Sequence, residues 1–356
     1  MDQVNTASRM PAESISSFIA DSLVKVGLPT SDAGKVAELM TEADLTGADA
    51  HGVFRLPMYV KRLQRGGCNP RPDIRVEKTA AATALVDGDN GMGHLVVARA
   101  ADTAIEMARE AGVAWVGTRR SNHAGAAGVY AAMTLPHDMV GIYGVVASAN
   151  HMPVWGGVEL LLGTNPVAVA IPAGEEAPIV LDIATSVVSY GTIKSHKLQN
   201  KPLPEGWMVN AKDGTPLTDP ARSAEGLLLP IGGYKGSGLS LILGLLAGPL
   251  NRAAFGRDVF DFNANDTDPC NTGQFIIALD IKRFAPVAQF KADMDRHLKD
   301  LRASKPLPGQ TIRLPGQERR SRRADRARNG VPMPRELIAQ LDAFAAELGV
   351  KPLGRR

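Results

Sequence analysis

The segment from Ala48 to Gly67, ADAHGVFRLPMYVKRLQRGG, is amphipathic when it is plotted as a helix. At roughly 100° per residue, four of its polar side chains fall within a sector of about 80°. These side chains belong to His51, Arg55, Tyr59 and Arg62. The opposite face is apolar, and Pro57 predicts a kink or a restart because it cannot donate a hydrogen bond to the preceding turn. The segment therefore predicts a helix that packs one face on a core.

The polar face of this segment has two interpretations. An imidazole (His51) beside a guanidinium (Arg55) would give an anionic 2-oxo acid a proton donor and a carboxylate clamp, with Tyr59 as a further substrate contact. The structural alternative is an amphipathic surface helix in which His51 caps an end. One helical face does not distinguish the two interpretations.

Composition limits the classes of function. The chain has 356 residues, enough for a large core and two domains, and its 44% hydrophobic and 22% charged content is ordinary for a globular protein. The net charge of +3 is too small to indicate a nucleic-acid partner. The basic segment 317–329 contains acidic residues and no aromatic one, so we expect a solvated helix face there.

Cysteine use and hydropathy point to the cytoplasm. Cys68 and Cys270 are the only cysteines, too few for a disulfide framework or a four-cysteine zinc site, and no known spacing of metal ligands is present. The first ten residues contain no apolar leader. The longest apolar run, Leu239 to Leu250, is too short to span a bilayer, and we expect it to form a buried helix.

The expected secondary structure changes near residue 75. Helices are expected over 11–29 and 30–45 before that point, and again over 286–303 and 334–348 near the end. Between them, short strands alternate with helices, which is typical of an α/β domain. The expected strands cover 82–87, 113–117, 140–149, 167–171, 179–181 and 275–281, and a polar lobe is expected over 195–220. We therefore expect a central α/β domain (79–283) and a helical domain built from both chain ends (1–78 with 284–356).

Four further loops carry residues suited to a ligand. His123 follows a strand in the segment 121–130, SNHAGAAGVY, where a helix cap is an equally good interpretation. Loop glycines, hydroxyls and amides at Gly163, Thr164 and Asn165 suit a cofactor, although ordinary turns have the same composition. The segment 182–186, DIATS, could cap a helix or hold an anion, and Lys235 lies in a glycine-rich loop.

One motif is missing. Gly91-Met92-Gly93 lacks the third glycine of a G-x-G-x-x-G fingerprint, and no acidic residue follows at the expected distance. The sequence therefore argues against a Rossmann domain.

Five blocks in order resemble the malate/L-lactate dehydrogenases that lack a Rossmann fold. They are HGVFRLPMY at 51, SNHAGAAGVY at 121, GTNP at 163, DIATS at 182 and GGYKG at 232. The resemblance covers about residues 14–350. It implies an α/β fold with a non-Rossmann mixed sheet, NAD or NADP as cofactor, and a homodimer with the active site near the subunit interface.

The resemblance also implies roles for individual residues. It makes His123 the proton donor or acceptor and places His51 and Arg55 at the substrate. It assigns cofactor contacts to Ser148, the block at 182, Lys235 and the turn at 315–317. With the loop at 163 included, the expected contacts are Ser148, Gly163, Thr164, Asn165, Asp182, Ala184, Thr185, Ser186, Lys235, Pro315 and Gly316.

Two positions depart from the family pattern. Ala50 stands where serine is usual, which removes a hydroxyl from the expected substrate pocket, and Gly244 stands where glutamate is common. The expected reaction is hydride transfer between a nicotinamide and C2 of a small 2-hydroxy or 2-oxo carboxylate. Reduction of a cyclic imino acid is the alternative within the enzyme class, and a non-catalytic scaffold is the alternative outside it.

Overall fold

The computed structural model describes residues 8–356, apart from the side chain of Leu198. No leader was expected in the first ten residues, and residues 1–7 of that stretch lie outside the described residues. No helix within residues 8–356 is both long and apolar enough to cross a membrane.

Helices and strands alternate along the middle of the chain and helices dominate its ends. The helices are α1 (Ala12–Lys25), α2 (Thr30–Thr46), α3 (Leu56–Arg65), α4 (Gly93–Ala111), α5 (Ala127–Ala132), α6 (Tyr190–Leu198), α7 (Tyr234–Ala247), α8 (Val287–Ala303), α9 (Gln317–Asn329) and α10 (Arg335–Leu348). The strands are β1 (Ser8–Met10), β2 (Arg75–Ala80), β3 (Thr83–Asp87), β4 (Val113–Ser121), β5 (Met139–Val145), β6 (Asn150–Pro153), β7 (Leu160–Gly163), β8 (Val167–Ile171), β9 (Ile179–Ile183), β10 (Met208–Asn210), β11 (Gly226–Leu228), β12 (Thr272–Asp280) and β13 (Val331–Met333).

A seven-stranded sheet forms the centre, in the order β2-β3-β4-β12-β5-β8-β9. Only β3 and β4 pair in parallel, and α4 makes the crossover between them. The remaining pairs of this sheet are antiparallel. The expected mixed, non-Rossmann α/β class is confirmed, since a Rossmann sheet is mostly parallel.

The two ends of the chain share a hydrophobic core. Phe18 and Leu23 of α1 are fully buried together with Leu341 and Ala345 of α10, and β1 pairs with β13 across the two ends. Helix α8 instead contacts the central part of the chain, because Asp295 accepts hydrogen bonds from the backbone of 174–176.

The segment 48–67 is not one helix. Two 3-10 turns, Asp49–His51 and Val53–Arg55, precede α3, which begins at Leu56 with Pro57 in its first turn. A proline is tolerated there because the first-turn N–H groups have no partner within the helix. The continuous helix was therefore a wrong prediction, although a restart near Pro57 was expected.

Helix α7 is only partly buried, which corrects the expected buried helix. Leu239, Ile242 and Leu245 are 39%, 54% and 40% exposed. The polar lobe contains α6 and the β10–β11 hairpin, and the hairpin was not anticipated.

Candidate active site

A cavity of about 650 Å³ opens between the 3-10 turns at 49–55, the β4–α5 loop, the ends of β5 and β9, and helix α6. Its volume falls in the range of about 300–1,000 Å³ that is usual for small-ligand sites. It brings together side chains from segments that lie far apart in the sequence. Among those lining it are His51, Arg55, His123, Ser148, Thr164, Asp182, Tyr190, Lys194, Phe262 and Arg319.

Three rings form a stack on one side of the cavity. The centres of the His51 and His123 rings lie 5.7 Å apart, and the two ring planes are inclined by 10°. The Phe262 ring also stacks on His123, with a centre-to-centre distance of 4.9 Å and an angle of 12°. Both imidazoles line the cavity and are half-buried. The stack fixes the plane of the His123 ring.

Hydrogen bonds at Nδ1 fix the proton position of His123. The Tyr59 hydroxyl lies 2.6 Å from Nδ1, and the Gly125 N–H donates to the same nitrogen at 3.3 Å. A backbone N–H can only donate, so this network assigns a lone pair to Nδ1 and the proton to Nε2. Burial, followed by the neighbouring His51 and Arg55, lowers the His123 pKa well below its usual value. His123 is therefore a neutral ring whose Nε2–H is its remaining donor.

Arg55 is anchored at two points and keeps donors for a ligand. Its Nε donates to the Ala50 carbonyl and its Nη1 to the Asn263 side chain, each at 2.9 Å. The guanidinium carbon also lies 5.9 Å from the centre of the Phe262 ring. A guanidinium has five N–H donors, so three remain for an anion.

His51 faces the same space without a side-chain hydrogen bond in the described part of the chain. Burial and then the charge of Arg55 lower its pKa to about 4. The ring is neutral at physiological pH and either nitrogen is free to contact a ligand.

Buried polar contacts hold the turns that carry His51 and Arg55. The Asp44 carboxyl accepts the Val53 N–H at 2.9 Å and lies so close to Gly52 that a β-carbon there would meet it at 1.8 Å. Burial raises the Asp44 pKa to about 8. Arg326 of α9 pairs with Asp49 in the first turn. Gly52 is thus required by the close approach of a carboxyl group.

Arg62 belongs to the support of the site and not to its surface. It is 2% exposed, and its guanidinium donates to the carbonyls of Gly67 at 2.7 Å and Asp268 at 2.8 Å, and to that of Asn265. Tyr59 is likewise buried and contacts His123 instead of lining the large cavity. Of the four residues on the expected polar face, only His51 and Arg55 line this cavity.

An ion pair crosses from the C-terminal helix α9 to the sheet edge. Arg319 contacts the Asp182 carboxylate at 3.1 Å, and the same carboxylate accepts the Gly128 N–H at 3.0 Å. Both members of the pair line the cavity. The basic segment 317–329 is a mostly exposed helix, as expected, but Arg319 reaches the site and Arg326 is only 9% exposed.

Ser148 supplies the clearest sign of a missing ligand. Its hydroxyl is buried, lines the cavity and has no hydrogen-bond partner in the described residues. A buried hydroxyl without a partner costs free energy unless a ligand or water completes it. Thr164, Asp182 and Ala184 line the same region, so four of the expected cofactor residues fit a nicotinamide cofactor here.

The other expected cofactor residues do not line the cavity. Two of them contact residues of its wall: Asn165 bridges the Ala147 N–H and the Ser240 carbonyl, and the Thr185 hydroxyl donates to the Thr164 carbonyl. Lys235 is exposed at the start of α7, and Gly316 packs on Val180. The expected residues outside the cavity lining are Gly163, Asn165, Thr185, Ser186, Lys235, Pro315 and Gly316.

Several cavity residues were missed in the sequence. Phe262 and Asn263 lie in a polar loop, and Tyr190 and Lys194 lie in the lobe, where nothing in local spacing marks them. His151 also lines the cavity and stacks on Tyr190 at 3.9 Å and 7°. Long-range pairing such as that of Arg319 with Asp182 has no local sequence signal.

Comparison with known proteins agrees with this geometry. The family described as malate/L-lactate dehydrogenase matches residues 10–342. The L-sulfolactate dehydrogenase of Methanocaldococcus jannaschii is 38% identical over 333 residues, which cover 94% of this chain and 95% of that protein. A structure of sulfolactate dehydrogenase from the same organism superposes with a TM-score of 0.90, at 36% identity over 97% of this chain and 98% of that one.

A structure of Δ1-piperideine-2-carboxylate reductase from Pseudomonas syringae is also similar, with a TM-score of 0.85 and 29% identity over 95% of this chain and all of that chain (100%). The match thus extends over nearly the full length and includes the ordered blocks that carry the cavity residues. The chain belongs to the malate/L-lactate dehydrogenase family and is an oxidoreductase that uses NAD or NADP.

Proposed function

We propose that this enzyme transfers a hydride between the nicotinamide and C2 of a small 2-hydroxy or 2-oxo carboxylate, in the cavity lined by His51, Arg55 and His123. The convergence of two neutral imidazoles and an anchored guanidinium in one cavity carries this proposal. The bound cofactor supplies the hydride chemistry, and the protein supplies position and proton transfer. Ser148, Thr164, Asp182 and Ala184 would hold it.

Arg55 binds the substrate carboxylate. Its fork of N–H donors matches a carboxylate, and charge-assisted bonds of this kind contribute about 1.5–3 kcal/mol. The anchoring of its Nε by the Ala50 carbonyl directs the remaining donors before the substrate arrives. Little side-chain entropy is then lost on binding.

His123 exchanges the proton at the substrate's C2 oxygen. In the reductive direction its Nε2–H gives a proton to that oxygen while Nδ1 takes the hydroxyl proton of Tyr59, and oxidation reverses both transfers. The ring stays neutral throughout, which suits a site where burial and Arg55 disfavour the imidazolium. Burial raises the Tyr59 pKa and the Arg55 charge only partly offsets that rise, so the phenolate is short-lived and takes a proton from solvent to restore the resting state.

Reduction of a cyclic imino acid is the second candidate. The similarity to the piperideine-2-carboxylate reductase favours it. The same Arg55 contact would hold the ring carboxylate, and the acceptor atom would be nitrogen instead of oxygen.

We also propose a homodimer. Apolar side chains are exposed on α7 and the β6–β7 hairpin, where Trp155 and Tyr234 pack edge to face at 6.4 Å. Its exposed side chains are Val154, Trp155, Val158, Leu160, Tyr234, Leu239, Ile242 and Leu245. A surface of this kind favours association with a second copy.

We place the enzyme in the cytoplasm because Cys68 and Cys270 are both free thiols.

A substrate panel tests the proposed reaction. Malate, lactate, sulfolactate, ureidoglycolate and cyclic imines would be assayed in both directions with NAD(H) and NADP(H), following the absorbance of the reduced nicotinamide. We expect turnover of at least one hydroxy acid. Turnover of cyclic imines alone would favour the second candidate. No turnover, together with no quenching of protein fluorescence by either reduced cofactor, would contradict catalysis altogether.

A further inference from the structure

The start of helix α6 forms another part of the cavity wall. Ser189 caps this helix by accepting the Thr192 N–H at 3.1 Å. Tyr190, Lys194 and Ser195 line the cavity from the helix itself. Nothing in the family resemblance assigns a role to these side chains.

Helix α6 lies directly beside the turn that carries His51. A β-carbon built on Gly191 would lie 3.6 Å from the Ala50 β-carbon, an ordinary van der Waals contact. Ala50 also supplies the carbonyl that anchors Arg55. Lys194 is three residues beyond Gly191, about 4.5 Å further along the helix axis. A ligand held by Arg55 therefore has the first turn of α6 as its neighbour.

A flat aromatic pair lies against Lys194. The rings of Tyr190 and His151 stack at 3.9 Å, and the Lys194 ammonium lies 5.7 Å from the centre of the Tyr190 ring. Burial lowers the His151 pKa to about 4; the charge of Asp261 opposes this shift and that of Lys194 adds to it. The ring is therefore neutral. The pair makes a polarisable floor, and the ammonium is held over it by a cation–π contact.

The charges around the cavity leave two cations without an acidic partner. Asp49 is paired with Arg326, and Asp182 with Arg319. Within residues 8–356, Arg55 and Lys194 take part in no salt bridge with a carboxylate, yet both line the cavity. The cavity is thus suited to an anion with two negatively charged groups.

We propose that Lys194, over the Tyr190–His151 pair, binds a second anionic group of the substrate, a carboxylate or sulfonate carried on the carbon chain beyond C2. The enzyme then prefers dianionic hydroxy acids to monoanionic ones. This inference rests on the proposed function, because the first anionic group is the carboxylate held by Arg55.

The test is the ratio of kcat/KM for malate to kcat/KM for lactate, with both enantiomers of each. One charge-assisted contact corresponds to roughly 10- to 100-fold in affinity. In Lys194→Gln we expect the ratio to fall by about that factor, mainly through the KM for malate, and in Lys194→Arg we expect most of it to return. Lys197→Gln is the matched control, since Lys197 is exposed on the same helix and does not line the cavity.

Three results would overturn the inference while leaving the proposed function intact. In the first, the wild-type enzyme uses lactate as well as it uses malate. In the second, Lys194→Gln leaves the ratio unchanged. In the third, the ratio stays constant and the Kd of NADH or NADPH rises instead, which would assign the ammonium to a cofactor phosphate. An enzyme that turns over no hydroxy acid at all would refute the proposed function and this inference together.

Discussion

Across the cavity, the side formed by His51, His123 and Phe262 is held by ring stacking and buried hydrogen bonds, whereas the side formed by α6 carries Lys194 with few fixed contacts. Nδ1 of His123 has two partners, and Arg55 is anchored at two atoms. Among the described residues, the Lys194 ammonium has only the cation–π contact with Tyr190. We refer to these as the catalytic side and the lobe side.

The difference separates two tasks. Proton transfer needs atoms placed within a few tenths of an ångström, which only over-determined side chains provide. Choice among related carboxylates needs a charge at about the right distance, which a flexible ammonium supplies. We therefore expect substitutions on the catalytic side to alter turnover and those on the lobe side to alter selectivity.

The largest effect is expected at His123. His123→Gln removes the ring nitrogen that we propose exchanges the proton, and a general acid–base typically contributes about 10²- to 10⁴-fold. We expect kcat to fall by that factor with little change in cofactor Kd, measured by steady-state kinetics and fluorescence titration.

His51→Gln is the comparison for that variant. It removes the other imidazole of the stack, and we expect it to raise KM more than it lowers kcat. If His123→Gln kept near-normal turnover while His51→Gln abolished it, the proton role would belong to His51.

Arg55 should show the next largest effect. Arg55→Met keeps much of the length of the side chain but loses the guanidinium, so the KM of the carboxylate substrate should rise about 10- to 100-fold. Arg65→Met serves as control, because Arg65 is exposed near the end of α3 and pairs only with Asp266. An unchanged KM in Arg55→Met would remove the carboxylate contact from this residue.

Stability should fall as the pH drops from 7 to 5. Burial lowers the pKa of His51 and His151 to about 4, that of His94 to about 3 and that of His123 well below its usual value. The stability that these neutral rings contribute is fully present above about pH 6.5, the pKa of a histidine in the unfolded chain, and it is lost as the pH falls towards the lowered pKa values. Asp44, with its pKa raised to about 8, acts in the opposite direction between about 4 and 8. These five groups together, four imidazoles less one carboxyl, would take up about three protons on unfolding at pH 5.

Urea unfolding at several pH values measures this proton uptake. Three of the four imidazoles, all but that of His151, belong to the catalytic side or contact it. His51→Gln should therefore reduce the uptake by about one proton. A free energy of unfolding that is independent of pH between 5 and 7 would contradict the neutral, buried state of these rings.

The smallest effect is expected at Ala50, where the two sides touch. Ala50→Ser restores a hydroxyl at the cavity edge, and a neutral hydrogen bond changes affinity by roughly 2- to 10-fold. We expect the order of preference among hydroxy acids to shift while kcat for the best substrate stays within that range. Identical relative kcat/KM values across the panel would show that this position does not select substrates.

Much of the fold was predictable because its signals are local. Helix α2, β3, β8 and β9 lie close to their expected positions, since apolar periodicity and turn residues mark them. The prediction of one helix across Ala48–Gly67 was wrong because of a local contact that apolar periodicity does not reveal. Gly52 adopts a non-helical conformation (φ −92°, ψ −144°) against the Asp44 carboxyl, which breaks the segment into two turns.

The candidate site was predictable only where motifs carried it. His51, Arg55 and His123 were singled out by residue type and by the family resemblance, and the structure brings all three to one cavity. Arg319 and Lys194 were not, because their place depends on contacts over long sequence separations. The partner of Arg319, Asp182, lies 137 residues away in the chain.

Because the two chain ends pair, one part of the site is synthesised long before the helix that stabilises it. Arg326 donates to the Asp44 carbonyl and pairs with Asp49, but it follows Asp44 by 282 residues. At 5–20 residues per second, translation delivers α9 roughly 15 to 55 s after the turn that it braces. The nascent chain therefore holds its His51–Arg55 segment without this brace for most of its time on the ribosome. A chain that stops short of α9 would lack Arg319 and Arg326 and leave the site incomplete.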